Sequence, residues 1–129
     1  MEDAWSTNKE RVVEHLSAQN LSHQQLAMFM PAHEIAKFPM LDAHRGESNT
    51  EVLARKLKSA KADTWEESKG MYKSIKKIGV QQPVDIIHDS KRGPMLGEGH
   101  HRIASAMDVN SNMLIPVTHK NPSELGWSE

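Results

Sequence analysis

The densest chemistry in this 129-residue chain lies in Gly97-Glu98-Gly99-His100-His101-Arg102, where a carboxylate, two imidazoles and a guanidinium fall within six residues. Those groups can hold a phosphate and move a proton. The apolar run Ile103, Ala104, Ala106, Met107 follows, so the loop opens a helix beginning near His100. Gly97 and Gly99 permit positive φ and close backbone approach, and the helix start turns its unpaired N–H groups and positive dipole end back into the loop. Such a corner suits an anion; the same spacing also suits an ordinary tight turn followed by solvated histidines. A metal site would need Glu98 and His100 joined by His88 or His119. Adjacent His100 and His101 project about 100° apart on a helix and cannot share one ion, so no metal ligands are assigned.

The elements around the loop follow from periodicity. After Gly79, Val84, Ile86 and Ile87 form a short strand, residues 89–93 a turn, and Met95 with Leu96 a second strand. Beyond the loop, a helix buries Ile103, Ala106 and Met107 and ends at Asn110-Ser111-Asn112. Met113, Leu114, Ile115 and Val117 make a last strand, expected in one sheet with 84–87, and Pro116 is expected at an edge or bulge because it cannot donate to a ladder. Upstream, Ser48 with Glu51 and Thr64 with Glu67 are capping boxes heading two helices. The first buries Val52, Leu53, Leu57 and Ala60 and lets Glu51 pair with Arg55. The second buries Trp65, Ile75 and Ile78, stops at Gly79, and carries Lys69, Lys73, Lys76 and Lys77 where the dipole favours cations.

The N-terminal third is less periodic. Thr7 and Glu10 head a helix running to about Asn20. Residues 22–30 read as a second helix from Ser22 and Gln25 or as a strand from the alternation of Leu26, Met28 and Met30. Residues 31–47 are irregular with one helical turn at most. A helix-turn-helix in this region would lack any Arg or Lys between Asn20 and Lys37 to meet phosphate, so no sequence-specific DNA binding is expected. Helices followed by strand, strand, loop, helix, strand give an α+β class with a small mixed sheet and an N-terminal helical extension.

Length allows one domain and one core: 1–25 as helical extension, 26–120 as core and 121–129 as a frayed tail from which Trp127 can dock. Leu, Ile, Val and Phe make up just under a fifth of the chain; the eight Met add apolar volume and the net charge is only −1, so the chain folds around a thin core. The absence of Cys excludes disulfides, thiolate zinc and cysteine nucleophiles and fits a reducing compartment. The acidic start without an apolar h-region, and the lack of a long apolar run, give a cytoplasmic expectation with no membrane association. Near-neutral charge argues against a protein devoted to gripping duplex DNA.

With those elements placed, Gly79-Val80-Gln81-Gln82-Pro83-Val84, the 97–102 loop with Ile103 and Ala104, and Ile115-Pro116-Val117 resemble the ParB/sulfiredoxin superfamily, whose members include ParB-like nuclease domains. The resemblance covers about half of the chain. ParB proteins read roughly G-L-x-Q-P-I and G-E-R-R-x-R-A-A, the second lying in a CTP pocket, and Gln82, Pro83, Gly97, Glu98, Arg102 and Ala104 match position by position. Gly99 and His100 stand where ParB has paired arginines. Sulfiredoxins carry G-C-H-R there, with a catalytic cysteine that is His100 in this chain, which excludes sulfinic acid reduction. Free serine kinases of the fold carry D-G-H-x-R, similar to Glu98 to Arg102. The dozen residues after Val117 leave no room for the ParB DNA-reading region, so the chain resembles a stand-alone domain of phage or mobile-element type.

The resemblance implies a phosphate-bearing ligand, a nucleoside triphosphate or a nucleic-acid phosphodiester, held by Gln82, Pro83, Gly97, Gly99, His101, Arg102 and Arg45. Glu98 and His100 would be catalytic, for hydrolysis or phosphate transfer, with Mg²⁺ accompanying a triphosphate. The alternative is a non-catalytic protein binding a host factor through its surface, for which exposed apolar side chains at Met28, Phe29 and Met30 would speak.

Overall fold

The computed structural model describes residues 29–63 and 69–122. The helix headed by Thr7, the Thr64–Glu67 capping box, Trp65, Met28 and the tail beyond residue 122 with Trp127 lie outside the described residues. In chain order come β1 (Phe29–Pro31), α1 (Ala32–Ile35), α2 (Asn49–Ala62), α3 (Met71–Ile78), β2 (Val84–Asp89), β3 (Gly93–Glu98), α4 (His100–Val109) and β4 (Leu114–Lys120). The four strands form one mixed sheet in the order β1-β4-β2-β3. β2 and β4 pair in parallel from Val84 opposite Val117, while β1–β4 and β2–β3 are antiparallel. The expected pairing of the 84–87 and 114–117 strands is therefore present, in a small α+β fold.

α2 begins as the sequence dictates. Ser48 Oγ accepts the Glu51 N–H and Glu51 Oε1 accepts the Ser48 N–H, each at 3.2 Å, which satisfies two orphan donors of the first turn. Glu51 is thereby used, and Arg55 pairs with Glu47, donating from Nε at 3.0 Å and Nη2 at 2.9 Å. This corrects the expected Glu51–Arg55 pair: the capping bond turns Glu51 back along the helix, and Glu47 offers a two-pronged acceptor. α3 starts after Gly70 and stops at Gly79, both at positive φ.

One core joins helices and sheet, with Ile35, Val52, Ile75, Val84, Ile86, Leu96, Ile103, Ala106, Met113, Ile115 and Val117 all buried, and Met107 half-buried against it. Ile87, Met95, Pro116 and Thr118 are also buried. Pro116 corrects a second expectation, because β4 is an interior strand. It is tolerated there by its place one residue before the first β2–β4 partner pair, opposite Phe29 of β1. Among the described residues no helix is long and apolar enough to cross a membrane.

Candidate functional site

The site is built on an irregularity of the β2–β3 ladder. Asp85 pairs with Glu98 and Ile86 with Leu96, which leaves Gly97 as an extra residue, a bulge that bends the strand before the helix. A Cβ on Gly97 would lie 2.1 Å from Ile87 Cδ1, and one on Gly99 would lie 2.4 Å from Val84 Cγ1. Gly99 also has φ +103°, where L side chains are strained. The two glycines thus let the loop lie directly on β2. No side chain caps the α4 N-terminus at Gly99, and a helix begun in this way directs the partial positive charge of its first turn outward.

That helix start faces a pocket of about 530 Å³ lined by Gln82, Glu98, Gly99, His100, His101 and Arg102 from the expected site, and by Asp42, Lys56, Lys69, Ser74, Gly79 and Gln81 among others. Its far wall comes from the irregular segment before α2. The Leu96 N–H donates to Pro39 O at 2.8 Å and the Leu41 N–H to Leu96 O at 2.9 Å, so residues 39–41 extend the sheet past β3 and bring Asp42 to the first residue of α4. Asn49 Nδ2 donates to Ala36 O and Phe38 O, both at 2.9 Å, and fastens this segment to the start of α2. From α2, Arg55 Nη2 donates to Asp42 O at 2.8 Å and Lys56 Nζ to Asp42 Oδ2 at 2.8 Å.

His100 is only 3% exposed and both of its ring nitrogens face Asp42. Nε2 accepts the Asp42 N–H at 3.3 Å, and Nδ1 lies 3.3 Å from Asp42 Oδ2. Burial pushes its pKa down to about 4; Asp42 pulls the other way, and Lys56, His101 and Arg55 add to the lowering. His100 is therefore neutral at pH 7, and accepting at Nε2 places its proton on Nδ1, toward the Asp42 carboxylate. Burial works to raise the Asp42 pKa, yet the Lys56 hydrogen bond and the surrounding positive charge leave it below the ordinary value. Burial is the leading cause of that neutrality.

Arg102 reaches back from α4, donating from Nη1 to Pro83 O at 2.5 Å and Gln82 O at 3.3 Å. This ties the Gln82-Pro83 segment to the helix, and burial lowers its pKa against the opposing charges of Glu98 and Asp85. His101 is half-buried and its pKa is lowered, first by burial and then by Lys56. Glu98 is exposed at the pocket mouth, and its side chain forms no hydrogen bond or ion pair among the described residues. Comparison with family models, curated proteins and solved structures found no match.

Six of the expected site residues therefore share one pocket. Gly97 lies behind it against Ile87, Pro83 contributes its carbonyl to Arg102, and Arg45 is exposed in the turn between His44 and Glu47, outside the pocket lining. Asp42, Lys56 and Asn49 were missed by sequence reasoning, since no motif marks them. Lys69 was visible as part of the basic cluster, where the dipole alone accounted for it. No group of three or more His, Asp or Glu side chains suited to a metal occurs among the described residues.

Proposed function

We propose that this chain binds a phosphate-bearing ligand in the pocket at the start of α4, a nucleoside triphosphate in preference to a polynucleotide phosphodiester. The observation that carries the proposal is the convergence on one bounded space of about 530 Å³ of an uncapped helix N-terminus with Lys56, Lys69 and Arg102. Dipole and cations act in the same direction on an anion, and the volume falls in the range of small-molecule sites. The resemblance of the 97–102 loop to ParB-type phosphate loops supports the same reading. With Gly99 and His100 at the positions of the paired arginines, the reading does not extend to a particular base.

In this proposal the phosphates lie against the first turn of α4 with Lys69 at the mouth and Lys56 within. Glu98 is the group available for proton transfer, because both ring nitrogens of His100 are turned to Asp42; His100 positions that wall. Mg²⁺ suits the residues present: it takes one or two carboxylates plus phosphate oxygens, and Glu98 is open whereas Asp42 is engaged by Lys56 and His100. Held by Glu98, the ion would neutralise phosphate charge. For the host-factor reading, Phe29 and Met30 are half-buried and paired with β4, and Met28 lies outside the described residues. Leu41 is the one large hydrophobic side chain exposed among the described residues.

A thermal-shift screen of nucleoside triphosphates, tripolyphosphate and a short single-stranded oligonucleotide, with and without Mg²⁺, tests the proposal. A triphosphate at a hundred times its dissociation constant should add about 2.7 kcal/mol to stability. Lys69→Ala should weaken that effect, and Glu98→Gln should keep the Mg²⁺-free binding while losing any turnover. A flat response to every phosphate compound would contradict it.

A further inference from the structure

At the far end of β2 from the pocket, His88 and His119 come together from positions 31 apart in the chain, with His88 Nε2 2.6 Å from His119 Nδ1. The ring centroids are 4.8 Å apart and the planes 32° from parallel. The parallel ladder makes the meeting. Ile86 is the partner of His119, and His88, two residues further along β2, projects from the same face of the sheet. Both side chains are exposed. Burial, and secondarily the charge of His88, lower the pKa of His119, which favours the neutral imidazole that binds metals.

We propose that His88 and His119 form a two-imidazole chelate for a late first-row divalent ion, Zn²⁺, Ni²⁺ or Cu²⁺, on the surface of the sheet. An ion about 2.0–2.1 Å from each nitrogen, at right-angled to tetrahedral geometry, requires the two to stand about 2.9–3.4 Å apart, wider than in the hydrogen bond they share, whose proton moves to the other nitrogen of its ring. Rotation about the broad terminal torsion of the two rings supplies that opening with the strands fixed. Two donors held on paired strands make capture by the second imidazole an intramolecular event, and nitrogen donors select the later members of the first-row series over Mg²⁺. Because no third carboxylate or imidazole joins them among the described residues, water fills the remaining positions. The site is separate from the Glu98 pocket and independent of the nucleotide proposal.

Calorimetric titration of the full chain with ZnCl₂ and NiCl₂ tests this, alongside imidazole ¹H–¹⁵N correlation spectra and with MgCl₂ as comparison. Expected is a site that Mg²⁺ does not occupy, that shifts the His88 and His119 ring nitrogens together, and that weakens about tenfold or more in His88→Ala and in His119→Ala alike. The side chains are exposed, so both variants should keep the backbone spectrum of the wild type away from β2 and β4. No Zn²⁺ or Ni²⁺ binding in the wild type would overturn the assignment. So would binding whose affinity survives both substitutions.

Discussion

Two of the pocket's walls are opposite in construction, and a third, from Lys69 to Gln82, joins them. The α4 wall is made of backbone: a bulge, two glycines and an uncapped helix start contributed by six consecutive residues. A second wall is made of the side chains of Asp42 and Lys56, where Asp42 is held by His100, Lys56 and Arg55. A backbone wall is set by steric fit and fails as a unit, while a side-chain wall is set by hydrogen bonds and charge and should respond gradually to substitution and pH. Each difference can be measured.

The largest effect is expected on the backbone wall. Gly99→Ala combines a strained positive φ with a Cβ 2.4 Å from Val84 Cγ1 and 3.3 Å from Val84 Cα, and should cost about 2–6 kcal/mol in denaturant unfolding. A loss below about 1 kcal/mol would mean that the loop relaxes freely and that the wall is not set by fit.

The next effect belongs to the side-chain wall and to pH. The native His100 pKa of about 4 lies below its ordinary value of 6.5, so between these values the unfolded chain holds a proton that the folded chain lacks. Its contribution is thus complete above about pH 6.5 and is lost as pH falls toward 4, about 3 kcal/mol in all. Unfolding free energies measured across that window should slope less in His100→Gln than in the wild type. Equal slopes would show that His100 does not titrate as a buried group.

Smaller still is the clamp behind Asp42. Asn49→Ala removes two hydrogen bonds to the Ala36 and Phe38 carbonyls and should cost about 1–3 kcal/mol. It should also weaken the ligand, by loosening the segment that carries Asp42. The least effect is expected at Ser105, whose Oγ is buried without a hydrogen-bond partner. Ser105→Ala should be neutral or stabilise by up to about 1 kcal/mol, because it removes an unsatisfied hydroxyl.

The same contrast governs what was legible in the sequence. Gly97, Gly99 and the apolar spacing after His100 announce the backbone wall, and the Ser48–Glu51 box and the strands at 84–87 and 114–117 are local patterns that the fold keeps. Asp42 is invisible because its position depends on the Leu96 backbone, more than fifty residues away, drawing residues 39–41 onto the sheet edge. Pro116 was misplaced for a similar reason: strand order is a property of long-range pairing, and β4 tolerates proline where its ladder with β2 has not begun. The His88–His119 meeting depends on the parallel register of β2 and β4, which the alternation of either strand alone does not specify.

The most direct measurement of the central proposal is a backbone amide spectrum of the ¹⁵N-labelled chain titrated with the triphosphate that scores best in the thermal screen. An anion seated at the start of α4 should move the amide signals of Gly99, His100 and Arg102 together, with a single dissociation constant, and leave β1 and the C-terminal turn of α4 unmoved. Saturating triphosphate that leaves those three amides in place would contradict the proposal, whatever it did elsewhere in the spectrum.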